Sequence, residues 1–372
     1  MRSLLAPIFL GLFLMGCQSD DLEQGIIDEV SLPDLTVIGE DLEFVYRFNY
    51  QGSVNDGTLL NLSTELQLPP NYLTLRRDGD LLTFFSIANG KFSALQLGAG
   101  GETPVYLQDF YTISEERSVT WGAASSEQLF LAYYSPRGTK NLSVRIQDIV
   151  TMVKSDLSIA FNIEEAYDPI YLTNRLLVPY LASDGNYKLS IINTDEKIVQ
   201  QQLDLGSGVA SIIIEESGNL AIISRTNDND YNLAVYDLRT VQLLEITRFN
   251  VNRFFEPGPV DAILQAGRLY YTHFYAQPAP VPFGPAIYDF TGAGNTILDM
   301  PSIERTVSEE LSQKIRLTFV SFLPGSNLFA VGYFEDRQET EVRGGVLLIT
   351  EAGVLTERIT FPFAPSFIME RD

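Results

Sequence analysis

His273 and Cys17 are the only histidine and the only cysteine among the 372 residues of this chain, and that scarcity bounds its chemistry. A histidine-cysteine metal centre, or a cysteine nucleophile activated by histidine, needs both side chains within reach of one another. Cys17 ends an apolar N-terminal run, Leu4 to Met15, which removes it from any such pair. His273 alternates within Leu269-Tyr270-Tyr271-Thr272-His273-Phe274-Tyr275, the setting of a satisfied strand residue. A Ser-His-Asp triad through His273 would still need a positioned serine, and no Gly-x-Ser-x-Gly elbow occurs. Asn227-Asp228-Asn229-Asp230 offers oxygen side chains in series, as calcium requires. Its sixth position is Asn232 rather than Gly and its twelfth is Leu238 rather than Glu, so it reads as a polar hairpin loop. Among the 48 acids, no spacing selects the carboxylate pair that glycoside cleavage uses. The sequence indicates no cofactor and no metal site.

The elements that would position any site repeat along the chain. Apolar runs begin at Leu81, Leu129, Leu176, Leu220, Leu269 and Leu328, with spacings of 48, 47, 44, 49 and 59 residues. Each follows a tight-turn signal, such as Asp78-Gly79-Asp80, Ser217-Gly218-Asn219 or Pro324-Gly325-Ser326-Asn327. Another apolar run precedes each turn, as Ala210 to Ile214 does before Ser217, so the unit starts with a β-hairpin. Two further strands follow it, visible in Tyr187 to Ile192 with Ile198 to Leu205 and in Asn232 to Tyr236 with Val241 to Ile246. Four short strands in about 45 residues make a propeller blade. The predicted fold is all-β: a single β-propeller of seven four-stranded blades, with six or eight as alternatives, in which the N- and C-terminal segments share one blade. Pro365 to Met369 would supply the innermost strand of that blade, and Leu42 to Tyr50 with Thr58 to Leu68 its outer strands.

In this architecture most rings pack between sheets, so Phe84, Phe85, Phe130, Tyr133, Tyr134, Phe319 and Phe322 are expected core residues. The loops joining second and third strands share a face with the connections between blades. That face should carry Arg137 and Lys140, Arg225 to Asp230, Tyr275 to Pro285 and Phe334 to Arg343, and between blades Phe110 with Tyr111, Arg253-Phe254-Phe255 and Pro301 to Lys314. Three prolines stiffen Ala276 to Phe283 and should present Tyr275 and Phe283. Thr306-Val307-Ser308-Glu309 fits a capping box that opens a short helix. Arg137, Arg225, Arg253 and Arg337, with Phe255, Tyr275 and Phe283, form the candidate binding set. Arginine beside aromatic rings suits a planar, anionic or catechol-like ligand.

The N-terminal run is shorter than the about 20 residues that cross a bilayer, and small residues before the cleavage point mark a signal peptide. Leu14-Met15-Gly16-Cys17 resembles the bacterial lipobox, which implies cleavage before Cys17 and its acylation. Residues 1–16 then form a lipoprotein signal peptide, 17–40 a lipidated flexible tether and 41–372 the propeller. Gln18-Ser19-Asp20-Asp21 resembles the acidic tract that sends some lipoproteins to the exterior face of the outer membrane; an ordinary polar tether is the alternative. The full chain carries a net charge of −23, and loss of Arg2 with the signal makes it more negative still. Nucleic acid would be repelled.

Tyr171-Leu172-Thr173-Asn174 and the Leu189-to-Val199 and Leu233-to-Leu243 strand pairs resemble YVTN-type lipoprotein β-propellers. The single tryptophan, Trp121, departs from WD repeats and from quinone-binding propellers. Val45-Tyr46-Arg47-Phe48-Asn49-Tyr50-Gln51-Gly52 resembles a stretch of surface lipoprotein propellers that work beside TonB-dependent outer-membrane transporters. That resemblance implies a transporter partner and a siderophore or other nutrient held without catalysis. A protein-protein scaffold and a hydrolase or lyase acting on polysaccharide stand as the alternatives.

Overall fold

Period-two alternation and turn chemistry fold each repeat into antiparallel strands. In Asp230–Asp237 the buried positions are Tyr231, Leu233 and Val235, every second residue. Gly79 and Gly218 close their hairpins at φ values of 55° and 82°, a region that a residue without Cβ enters freely. A computed structural model describes residues 31–100, 103–113, 117–215, 217–226, 230–251, 253–336 and 341–371. Cys17 with its lipobox, Gln18 to Asp21, Asn227 to Asn229 and Arg337 lie outside them.

The strands assemble into seven sheets, each a blade of a β-propeller. Blade 1 runs outward through Thr74–Asp78, Leu81–Ala88, Lys91–Gly98 and Val105–Thr112. Blade 2 comprises Ser118–Ala124, Gln128–Tyr134, Leu142–Asp148 and Lys154–Ala160. In blade 3 the inner position is split between Ile163–Ala166 and Ile170–Leu172, followed by Arg175–Ala182, Tyr187–Asn193 and Ile198–Gly206. Blade 4 comprises Ala210–Ile214, Leu220–Arg225, Asp230–Asp237 and Gln242–Asn250; blade 5 Ala262–Gln265, Arg268–Phe274, Phe283–Asp289 and Gly294–Ile297. Blade 6 comprises Ile315–Leu323, Leu328–Glu335, Gly344–Thr350 and Leu355–Phe361. Central strands are enclosed on both faces, whereas the outermost strands of blades 4 and 5 are mostly exposed. This gradient explains why the middle strands read as continuous apolar runs.

Blade 7 closes the ring with a division of labour that differs from the expected one in detail. Ala364–Glu370 is its innermost strand, as anticipated, but the N-terminal segment supplies three strands: Leu35–Glu40, Val45–Gln51 and Asp56–Asn61. Val37 pairs with Ile368 on one side and Phe48 on the other. Leu35–Glu40 therefore belongs to the propeller rather than to a tether, because Leu35, Val37 and Ile38 are fully buried there. Leu42 sits exposed in the following turn, and Leu62–Glu65 forms a short helix, α1, where a continuing strand was expected. Arg371 Nη2 donates to the Tyr50 carbonyl at 2.7 Å, fastening tail to head.

The second helix, α2 (Met300–Leu311), begins earlier than the Thr306 capping box predicts. Asp299 is the N-cap, accepting from Ser302 N at 3.2 Å, and Pro301 occupies the first turn. With that earlier cap in place, Thr306 lies within the helix and its hydroxyl bonds back to the Ser302 carbonyl at 3.1 Å. Met300, Glu304 and Val307 form the buried stripe. Phe110 and Tyr111 also differ from expectation: they belong to the outermost strand of blade 1 and are buried against blade 2, not placed in an inter-blade connection.

Polar side chains stitch neighbouring blades through backbone carbonyls. Arg47 reaches Gly98, Gln96 reaches Ser125, and Gln202 reaches Ile159, at 3.2, 3.0 and 2.9 Å. Between blades 4 and 5 the inner strands approach closely enough for Gly258–Pro259 to pair in parallel with Ser211 and Ile212. This contact fixes the connection that carries the candidate site.

Candidate functional site

Strand alternation places the second-to-third-strand loops and the inter-blade connections on one face of the ring. Arg225 ends the second strand of blade 4, and residues 253–261 lead into blade 5 on that face. The Arg225 guanidinium lies over the Phe254 ring at 5.6 Å. The Arg253 guanidinium lies over Phe255, Phe274 and Tyr271, at 4.7, 5.3 and 5.4 Å. Its Nη1 donates to the Thr272 carbonyl, and the Tyr231 hydroxyl donates to the carbonyl of Arg253 itself. Backbone and rings together hold the guanidinium in one place.

Burial pushes Arg253 down to about 10, against the opposing pull of Tyr271, Asp261 and Glu256. No carboxylate lies within ion-pair distance of it among the described residues. A desolvated cation in an aromatic box is poised to take an anionic oxygen, because binding replaces hydration it has already lost. Asp261 is accessible to solvent but walled by protein, and desolvation raises its carboxyl to about 6, the charge of Arg253 offsetting only part of the rise.

Arg225, Arg253 and Phe255 therefore come together as the sequence suggested, with different roles. Phe255 is 1% exposed and packs edge-on against Tyr231 at 5.3 Å, forming the floor under Arg253 rather than a contact surface. Tyr275 is tied down, its hydroxyl donating to the Leu298 carbonyl at 2.6 Å, and it stands 5.1 Å from the His273 ring. Phe283 is half-buried beside Phe274, with centroids 6.2 Å apart. The rings actually presented are Phe254 and Phe274, 50% and 53% exposed. Alternation about buried Phe255 would have turned Phe254 outward; nothing local marked Phe274. Arg137 lies in the exposed blade 2 loop between Gln128–Tyr134 and Leu142–Asp148, with no contact to this cluster among the described residues.

Asp261 also lines a central cavity of about 450 Å³, within the range of small-ligand sites. Its walls include Ile263, Phe319, Ser321, Ser366 and Phe367 from the innermost strands, with Arg77 and Glu370 as the other charged residues. Glu370 accepts from Gly325 N at 2.8 Å. His273 neighbours a cation: burial, and then Arg253, hold its imidazole below the ordinary value. A histidine base is normally oriented and made more basic by a carboxylate, which is the opposite environment.

No family model matches the chain, and no curated protein does. Solved structures share its fold. A putative 6-phosphogluconolactonase from Bacteroides fragilis NCTC 9343 is similar with a TM-score of 0.54 at 15% identity, over 91% of this chain and 98% of that one. A prolyl endopeptidase gives 0.50 at 11% identity, over 78% of this chain and 43% of that one, so the chain spans less than half of that enzyme's length. TolB from Acinetobacter baumannii gives 0.43 at 13% identity, over 90% and 82% of the two chains. At these identities the likeness concerns the fold alone.

Proposed function

We propose that the chain is a ligand-binding propeller that holds a planar ligand bearing anionic or catechol-like oxygens at Arg253, without altering it. The observation that carries this reading is the buried Arg253 guanidinium, fixed over the rings of Phe255, Tyr271 and half-exposed Phe274, with half-exposed Phe254 next to it in the chain under Arg225. A flat ligand stacks on the half-exposed rings while its oxygens accept from the guanidinium. Each charge-assisted bond contributes about 1.5–3 kcal/mol and each ring contact about 0.5–1.5 kcal/mol. In this reading Cys17 carries the lipid that tethers the protein to the outer membrane, facing the exterior. Its partner is a TonB-dependent transporter, and its ligand an iron-siderophore complex or a glycan-derived nutrient.

The test is calorimetric titration of the lipid-free protein with ferric catecholate and hydroxamate siderophores and with oligosaccharides, alongside co-purification from crosslinked membranes. Catecholates are expected to bind, and Arg253→Gln to weaken them at least about tenfold. Silence across the panels, with no transporter retained, removes the proposal.

One observation favours a second reading. Asp261 and Glu370 line the same cavity, and a carboxyl held near 6 suits a general acid, so polysaccharide hydrolysis or lysis in the channel is the enzymatic alternative. Release of reducing ends from a polysaccharide, abolished in Asp261→Asn, would promote it.

A further inference from the structure

The hairpins that join third and fourth strands turn toward the face of the ring opposite the Arg253 site. On five blades they carry apolar side chains that stand in solvent: Val54 in blade 7, Val150 and Val153 in blade 2, Ile198 in blade 3, Leu243 in blade 4 and Val354 in blade 6, 47–86% exposed. We propose that this rim rests on the membrane, its apolar tips entering the lipid interface, which leaves the Arg253 face turned to the medium. The proposal rests on the reading of Cys17 as the lipid-bearing residue.

The place where the chain enters the propeller is the first reason. Leu35 pairs with Tyr50, and Asp34 accepts from Gly52 N at 2.9 Å, so residues 32–34 lie against the blade 7 hairpin that carries Val54. The approach is close enough that a Cβ on Gly52 would stand 1.9 Å from the Leu32 carbonyl oxygen. Cys17 is joined to Leu32 by a segment that spans at most about 50 Å when fully extended. Acyl chains on Cys17 thus pull from this face and hold it near the bilayer, whereas the opposite face is reached only by the chain doubling back.

The build of the tips is the second reason. Val150 is the most exposed large apolar side chain among the described residues. Asp148, at the base of its hairpin, is folded back onto the turn and accepts from Val150 N and Thr151 N at 3.0 and 2.6 Å. Asp237 in blade 4 does the same for Thr240 N at 2.6 Å. Single exposed apolar residues are ordinary, but these recur at one position in blade after blade and all leave water when the rim meets lipid. Exposed rings on the opposite face, Phe254 and Phe274, belong to the ligand site. Carboxylates outnumber cations on these hairpins, and five acids lie between Cys17 and Leu32, so the surface that suits the rim is zwitterionic rather than anionic.

The experiment couples the chain from Cys17 onward, through that thiol, to a maleimide lipid in phosphatidylcholine vesicles. A tryptophan replaces Val150, Val354 or, on the opposite face, Phe161, and quenching by brominated lipid is read. Trp121, the only native tryptophan, is 5% exposed and gives a constant background. Val150→Trp and Val354→Trp are expected to emit further to the blue and to be quenched at least about threefold more than Phe161→Trp. Val54→Asp with Val153→Asp should cut the quenching of Val150→Trp at least about threefold and leave the melting temperature unchanged, since both valines are exposed. Rim tryptophans quenched no more than Phe161→Trp overturn the proposal. Acyl labelling of Cys17 in cells reads the anchor separately: its absence overturns the anchor and this inference with it, and its presence with unquenched rim tryptophans overturns this inference alone.

Discussion

Asp261→Asn should stabilise the protein, and only over a defined range of pH. The carboxyl titrates near 6 in the folded chain against an ordinary value of 3.8, because the cavity wall dehydrates it more than Arg253 compensates. A folded-state value raised in this way means that the unfolded chain ionises first. Asp261 therefore leaves stability untouched below about pH 4, subtracts from it progressively between about 4 and 6, and subtracts a constant amount above. At 1.36 kcal/mol per pH unit, the rise of about two units sets a ceiling of about 3 kcal/mol. Solvent reaches the side chain along the cavity, and screening reduces the expected gain to about 1 kcal/mol. The amide keeps the shape and removes the charge, and no side-chain hydrogen bond of Asp261 is lost among the described residues. Urea unfolding of both proteins across pH 4 to 8 reads the difference directly. Curves that converge toward pH 4 and separate by about 1 kcal/mol above pH 6 fit the argument. A variant less stable than the parent at pH 8, or an offset independent of pH, would refute it.

Other substitutions probe the framework and the site. Phe255→Ala removes a ring buried among Tyr231, Phe249 and Tyr271 and should cost about 3–5 kcal/mol in denaturant unfolding. Gly258→Ala should cost about 2 kcal/mol or more, because φ is 86° and the new Cβ would stand 2.7 Å from Tyr167 Cβ; the same unfolding assay checks it. Truncation after Phe363 deletes the inner strand of blade 7 and exposes the edge of Leu35–Glu40, so the cooperative thermal transition should be lost and aggregation should appear by light scattering. Phe274→Ala should lower siderophore affinity several-fold without changing the melting temperature, since that ring is half exposed. Cys17→Ser should abolish acyl-chain labelling and move the protein out of the membrane fraction.

The blades were legible because their information is local. Gly79, Gly218 and Asn327 punctuate hairpins through backbone dihedrals, and alternation such as Tyr231, Leu233 and Val235 selects strands at period two. Arg225, Arg253 and Phe255 could be grouped from loop position alone, since blade topology dictates which loops share a face. The start of α2 was misplaced because two caps compete within eight residues, and the first, with Pro301 behind it, takes precedence over Thr306. Leu35–Glu40 was hidden because its partner strand lies at the other end of the chain.

The sequence by itself determined an all-β ring, its repeat length, its turns and the residues that fill the spaces between sheets, for each of these follows from interactions among neighbours along the chain. Tertiary structure alone decided that Phe274 is offered while Tyr275 and Phe255 are engaged, that Arg253 is largely buried, and that Asp261 faces the cavity. It also brought Tyr111 under Arg145 from the adjoining blade. Such outcomes depend on how whole sheets pack against one another; around Arg253 and Asp261, the close approach of the blade 4 and blade 5 inner strands joins residues about 50 positions apart.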